Sequence, residues 1–114
     1  MSVGAVDRRH VSDFDLEVVR TGAWIDDRMV TYARRKVRAA ARAAPEPVLF
    51  GRITLRHEPH RSIELPITVA VTLDVNGYAV HAHAAGQLAT EAIDLVEERL
   101  RQELVEAHAR HVMH

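Results

Sequence analysis

Residues 63–84 read IELPITVAVTLDVNGYAVHAHA and carry the clearest structural pattern of the chain. Every second residue of 63–75 is aliphatic, which is the period of a strand that buries one face. Asn76 and Gly77 follow, and both residue types tolerate the positive φ angles of a two-residue type I′ turn. Alternation resumes over 78–84. This stretch therefore predicts two antiparallel strands joined by a tight turn.

Two further strands are predicted upstream of this hairpin. Residues 14–20 alternate between apolar and polar side chains, as expected for a half-buried strand. Residues 48–57 form another such segment, in which Leu49, Ile53 and Leu55 are expected on the buried face.

Two helices complete the pattern. The first begins after Asp26 or Asp27, either of which can accept hydrogen bonds from the free N–H groups of the first turn, and is expected to end near Ala44, before a proline. The second is expected from about residue 88 to beyond residue 108. The apolar positions that repeat every three or four residues are Met29, Ala33, Val37 and Ala40 in the first helix and Ala89, Ile93, Val96, Leu100, Leu104 and Ala107 in the second.

The order of elements is thus strand, helix, three strands, helix. Each helix must bury its apolar stripe, and a four-stranded sheet with one apolar face provides the surface. The predicted fold is an α+β two-layer sandwich of order β-α-β-β-β-α, with both helices packed on one face of the sheet. Residues 1–13 are polar and aperiodic and are expected to form a flexible leader, while residues 14–114 form a single domain.

The composition is that of an ordinary soluble domain. Of 114 residues, 47% are hydrophobic and 27% charged, and there is no cysteine to form a disulfide. The first ten residues lack the apolar core of a signal peptide, and no run approaches the roughly 20 apolar residues of a membrane span. We therefore expect a cytoplasmic protein that makes no membrane contact.

Charge is unevenly distributed, although the net charge is only −1. The second helix carries six acidic residues against three basic ones. Between residues 28 and 45 there is no acidic side chain, and the basic ones are Arg28, Arg34, Arg35, Lys36, Arg38 and Arg42. Guanidinium groups offer paired donors at fixed charge, which suits phosphate, so the first helix is predicted to bind RNA phosphates. The alternative interpretation of this run is a solvated helix face.

Two arginines of the second predicted strand carry further positive charge. Arg52 and Arg56 are predicted to extend the RNA-binding surface of the first helix across the sheet. The aromatic residues, which include Trp24 and Tyr32, show no single-strand RNA-binding signature, so contacts to shape and phosphate are expected rather than sequence-specific base reading.

Residues 75–104 read VNGYAVHAHAAGQLATEAIDLVEERLRQEL and resemble the N-terminal domain of the ribosome hibernation-promoting factor and ribosome-associated inhibitor family. In that family a tight turn, an alternating strand and a helix beginning near an Ala-Ile-Asp tripeptide follow one another. Here the tripeptide lies at residues 92–94, and Leu100 and Leu104 are in the register of the family's helix leucines. The first half agrees in layout, with a strand, a glycine and a capped helix that carries Tyr32.

The resemblance implies a double-stranded-RNA-binding-like fold and a function in ribosome hibernation under stress. Such a domain would bind ribosomal RNA of the small ribosomal subunit in the channel used by messenger and transfer RNA. Translation would be inhibited by occlusion, with no cofactor and no small-molecule substrate.

The sequence departs from the family in two respects. Val105, Glu106 and Ala107 occupy positions of the second helix where basic residues are expected. Binding would then depend on the first helix together with Arg99, Arg101 and Arg110. The chain also ends after the second helix, so the dimerisation domain of the family's long members is expected to be absent.

Other classes of function have weaker support. No nucleophile with a base, glycine-rich phosphate loop or paired carboxylates are recognisable, so we expect no enzyme. His81 with His83, and His108 with His111, have spacings that can hold zinc, but they lack further ligands, and no metal site is assigned. The remaining alternative is a protein-interaction module that uses the acidic second helix and does not bind RNA.

Overall fold

The computed structural model describes residues 14–22, 24–58 and 65–113, so the expected leader over residues 1–13 lies outside the described residues. Its elements are β1 (Asp15–Thr21), α1 (Asp27–Ala41), β2 (Val48–His57), β3 (Ile67–Val75), β4 (Tyr78–Gly86) and α2 (Ala89–Val112). The predicted β-α-β-β-β-α order is therefore confirmed. Asp26 is the residue that caps α1, because its side chain accepts a hydrogen bond of 3.0 Å from the backbone N–H of Met29.

The strands form one mixed sheet in the order β1-β2-β3-β4. Strand β1 runs parallel to β2, since α1 carries the chain back across the sheet between them, and the other pairs are antiparallel. The tight turn between β3 and β4 is confirmed, with φ angles of 52° at Asn76 and 101° at Gly77.

The core lies between the sheet and the two helices. Both predicted helix stripes face it: every stripe residue is buried except Met29, which is partly buried and packs against the core. The sheet contributes its alternate residues, and Ile53, Leu55 and Leu73 have no exposed surface. The opposite face of the sheet is open and consists mainly of exposed polar residues and alanines. The α+β two-layer sandwich is thus confirmed.

Helix α1 is shorter than predicted and ends at Ala41. Beyond it, the N–H of Ala43 donates to the carbonyl of Ala40 at 2.9 Å, and the N–H of Ala44 donates to that of Ala41 at 3.0 Å. These bonds span three residues and tighten the last turn. The following Pro45 explains the difference, because a proline disfavours helical geometry in the residue before it.

The predicted burial of Leu49 is wrong. This side chain is 54% exposed, because the register between β2 and β3 shifts between Val48 and Phe50 and leaves Leu49 without a partner. Pro66 in the sequence predicts that the first residues of this strand lie at an edge or before the ladder begins, and Leu65 does lie before β3, at 45% exposure. Just before β3 begins, the N–H of Glu58 donates to the carbonyl of Pro66 at 2.9 Å.

Candidate nucleic-acid interface

An exposed row of three arginines runs along α1. Arg28 and Arg35 lie in α1, and Arg42 is its C-terminal cap and keeps helical backbone angles. The three are seven residues apart, so they lie on one side of the helix at intervals of roughly 10 Å along its axis. All three are exposed, and none forms an ion pair with another described residue. We call these residues the arginine row. It leaves three fixed positive charges available to a partner.

Arg34 and Arg38 belong to the same predicted site but are only partly exposed. The guanidinium of Arg34 donates to the carbonyl of Leu16, and that of Arg38 donates to the carbonyl of Phe14 at 2.9 Å. Arg38 also lies 5.0 Å from the centre of the Phe14 ring. These two side chains therefore join α1 to the N-terminal part of the edge strand β1.

Lys36 is neutralised by α2. Its ammonium group lies 3.0 Å from Glu97 and 3.5 Å from Asp94, and the hydrogen bond to Glu97 raises the pKa of Lys36. Burial acts to raise the pKa of Glu97, but its hydrogen bonds from Lys36 and Arg101 outweigh burial and lower it. Residues 28–45 contain no acidic residue, but the fold brings acidic side chains of α2 next to Lys36.

Tyr32 makes a second link between the helices. Its hydroxyl donates to Asp94, and this hydrogen bond raises the pKa of Tyr32. On its ring face, the guanidinium of Arg35 lies 5.3 Å from the ring centre. Tyr32 therefore supports Arg35 while it connects α1 to α2.

Arg52 and Arg56 lie on the open face of the sheet, which the sheet itself separates from α1. Arg52 pairs with Glu17 of β1 at 2.9 Å, and Arg56 pairs with Glu58 at 3.1 Å. They are exposed, but each has an acidic neighbour. The structure consequently does not join them to the arginine row.

Arg99 and Arg101 of α2 are also engaged. Arg101 pairs with Glu97 one turn away, at 3.0 Å. Arg99 donates at 2.9 Å to the carbonyl of His83. From the two-residue turn onward, hydrogen-bonded and non-hydrogen-bonded residue pairs alternate along β3 and β4, and His83 with Ala70 is a non-hydrogen-bonded pair. The carbonyl of His83 therefore points away from β3, to the free edge of β4. Arg99 therefore occupies an acceptor that an additional strand would otherwise use.

The acidic side chains of α2 differ in the same way. Glu98 and Glu106 are exposed and form no ion pair with another described residue. Glu103 pairs with Arg110 at 2.7 Å. The acidic surface of this helix is therefore smaller than the sequence suggests.

Three of the four histidines whose spacing was compared with that of zinc ligands have other contacts. The Nδ1 atom of His81 lies 3.0 Å from Thr72, and that of His108 lies 3.2 Å from Glu46. His111 stacks on Tyr78 with ring centres 4.5 Å apart. Within residues 14–22, 24–58 and 65–113, no three histidine or acidic side chains are arranged to hold a metal ion. Neither helix of this part is long and apolar enough to cross a membrane.

Two features were not predicted from the sequence, and they lie at opposite ends of α1. Glu46, in the loop after the helix, accepts three side-chain hydrogen bonds. Trp24, before the helix, is 70% exposed and stacks on His57. A tryptophan outside any apolar period was the available signal for the second feature, whereas the partners of Glu46 are too distant in sequence to be inferred.

The architecture is shared with solved structures of other proteins. No family model and no curated protein matches the sequence. Among solved structures, the Thermus thermophilus Protein Y N-terminal domain matches with a TM-score of 0.63 and 15% identity, over 79% of this chain and 94% of that one. The chain has the fold of that domain. A ribosomal subunit interface protein from Coxiella burnetii matches equally well, with a TM-score of 0.63 and 15% identity over 83% and 98% of the two chains.

These two neighbours agree with the family that residues 75–104 resemble. At 15% identity the likeness is one of fold, so it does not assign the residues of the site.

Proposed function

We propose that this domain binds the small ribosomal subunit through phosphates of its RNA and inhibits translation by occupying the channel of messenger and transfer RNA. The arginine row carries the proposal. Three exposed guanidinium groups, which have no acidic partner among the described residues, lie along one rigid helix and its C-terminal cap, in a fold shared with a ribosomal subunit interface protein. The proposed action is occlusion, in which no substrate is converted.

The rigidity of α1 supports this function. Ala33, Val37 and Ala40 are fully buried on its inner side, so the helix is held by the core while the arginines face outward. Fixed spacing suits a folded RNA, whose phosphates also have fixed positions. Each phosphate contact releases counterions and makes the slope of log affinity against log salt concentration more negative by about 0.7 to 0.9.

The other predicted site residues have supporting roles in this proposal. Arg34, Arg38 and Arg99 donate to main-chain carbonyls, while Lys36 and Arg101 neutralise Glu97. They shape the domain that presents the row. Arg52 and Arg56 lie on another face and are not part of the proposed interface.

Co-sedimentation with purified small ribosomal subunits tests the proposal. We expect the protein to pellet with subunits at low and near-physiological ionic strength, and the triple variant Arg28→Glu, Arg35→Glu, Arg42→Glu to remain in the supernatant. The matched control carries the same charge change on other exposed positions, Arg52→Glu, Arg56→Glu and Arg110→Glu, and should pellet like the wild type.

A translation assay completes the test, because the wild type and the control should inhibit synthesis and the triple variant should not. The proposal is wrong if the unmodified protein ignores subunits at near-physiological salt, or if the triple variant pellets as well as the control.

One observation favours the alternative, a protein-interaction module that uses α2. Glu98 and Glu106 are exposed there without ion pairs to described residues. The variant Glu98→Lys, Glu106→Lys distinguishes the two functions. If it abolishes subunit binding while the arginine triple variant still binds, the acidic helix and not the arginine row is the interface.

A further inference from the structure

Trp24 is the sole tryptophan of the chain and lies between β1 and α1. Its ring stacks on the imidazole of His57, with ring centres 5.3 Å apart and planes 17° apart. One face of the indole is thus covered, yet the residue is 70% exposed. With one face stacked on His57, the other face of the indole is available to a flat partner.

The segment around Trp24 is held on both sides. Gly22 has a φ angle of 103°, and a Cβ there would lie 2.7 Å from the carbonyl oxygen of His57. Only a glycine therefore fits where the chain leaves β1 beside the end of β2. On the other side, Ile25 is buried in the core. The stack is therefore supported from both directions and presents a flat aromatic surface.

A further link joins this segment to α1. The guanidinium of Arg20 donates to Asp27 at 2.9 Å and to the carbonyl of Ile25 at 3.4 Å. The Trp24 segment is thereby tied to the first turn of the helix, where Arg28 begins the arginine row. Because Trp24 is four residues before Arg28, their Cα atoms are at most about 14 Å apart, and an extended partner can contact both.

Charge indicates the chemistry of that partner. The arginine row requires negative charges spaced along α1, and the stack at its N-terminal end accepts a flat ring. Single-stranded nucleic acid supplies both, because its phosphates are anionic and every base has a π-face free to stack on an aromatic side chain. Continuous duplex supplies the phosphates, but its bases are stacked on one another.

We propose that the stack of Trp24 on His57 binds an unpaired base of the RNA whose phosphates contact the arginine row. The proposal rests on the proposed function and adds a base contact to the phosphate contacts. It is tolerant of base identity, since stacking needs a ring face and no particular hydrogen-bonding edge. The RNA site is therefore a single-stranded or bulged nucleotide beside a structured backbone.

Because Trp24 is the single tryptophan, its fluorescence reports on this position alone. We expect a short single-stranded RNA to quench the emission saturably, whereas a blunt duplex of equal length binds without comparable quenching. Replacing Trp24→Ala should weaken binding of the single strand roughly five- to a hundredfold and leave duplex binding unchanged. The matched control is Val105→Ala, which truncates a side chain of α2 that is 62% exposed and should change neither.

The outcomes separate the two proposals. If RNA leaves the emission unchanged and Trp24→Ala binds RNA and subunits like the wild type, while the arginine triple variant binds neither, the base contact is wrong and the proposed function stands. If emission is quenched by ribosomal proteins and not by RNA, the occupant is a protein and the base contact is again wrong. If neither RNA nor subunits bind the wild type, both proposals are overturned.

Discussion

Two neighbouring arginines of α1 differ in how their guanidinium groups are engaged. The partly exposed Arg34 extends to β1 and donates to the carbonyl of Leu16. The next residue, Arg35, is rotated by about 100° around the helix axis, is exposed, and lies over the ring of Tyr32. Residue type alone does not distinguish them, because only the direction of each side chain relative to the sheet determines whether its charge remains available.

This difference predicts a crossed pair of phenotypes. Arg34→Met should lower the free energy of unfolding by about 1–2 kcal/mol, since a carbonyl of an edge strand loses a charged donor. Arg35→Met should change it by less than about 0.5 kcal/mol but weaken subunit binding. Urea denaturation and co-sedimentation measure the two effects, and equal destabilisation by both variants would contradict the assignment.

At the level of elements, the loop between α1 and β2 joins parts of the fold that are distant in sequence. Its residue Glu46 accepts hydrogen bonds from Asn76 at 3.0 Å and from Tyr78 at 3.0 Å, and it lies 3.2 Å from the Nδ1 atom of His108. The bonds from Asn76, Tyr78 and His108 lower the pKa of Glu46. Burial, followed by the bond to Glu46, raises the pKa of Tyr78. The tight turn, β4 and the end of α2 thus share one carboxylate.

The lowered pKa of Glu46 predicts a pH dependence of stability. A carboxylate whose pKa is lower in the folded than in the unfolded state stabilises the fold above its unfolded pKa, and this contribution is lost as pH falls through the folded value. Glu46→Gln should therefore melt at a lower temperature than the wild type at pH 7. The difference should narrow progressively as pH falls below the ordinary carboxyl range.

Thermal melts followed by circular dichroism across that pH range test this prediction. The control is Glu58→Gln, whose carboxylate pairs with Arg56 while both side chains are about half exposed, at 52% and 51%, and which should melt like the wild type throughout. A gap between Glu46→Gln and the wild type that does not change with pH would show that ionisation of Glu46 is not its source.

For the molecule as a whole, stability comes from one core between the two layers. Helix α2 contributes Leu100, which has no exposed surface, while Val105 on the same helix is 62% exposed. Both positions are aliphatic and helical, so they differ chiefly in burial. They provide an internal comparison of what packing against the sheet contributes.

Leu100→Ala should lower the free energy of unfolding by about 2–5 kcal/mol, because it removes buried contacts and leaves a cavity. That is a large part of the roughly 5–15 kcal/mol that stabilises a typical domain. Val105→Ala should change it by no more than about 0.5 kcal/mol. Chemical denaturation measures both values, and a small effect at Leu100 would mean that α2 is not held by this core.

Much of the architecture was predictable from local pattern. The bounds of β2, the tight turn at Asn76 and the apolar stripes of both helices follow from periodicity and turn chemistry, which act between residues close in sequence. The errors have structural causes. Leu49 falls at a shift in strand register, and α1 ends early under the influence of Pro45.

The candidate site was predictable only in outline. Six basic residues on one helix were visible as a run of charge, and that run is still the basis of the proposed interface. Their division was not visible, because Lys36 meets Glu97 of α2 and Arg38 meets Phe14 before β1. The two layers of the fold were predictable from the sequence because burial of every second strand residue, or of every third or fourth helix residue, is a local requirement. Which charges stay free to bind depended on packing between distant segments, since an ion pair forms wherever the fold brings opposite charges within a few ångströms.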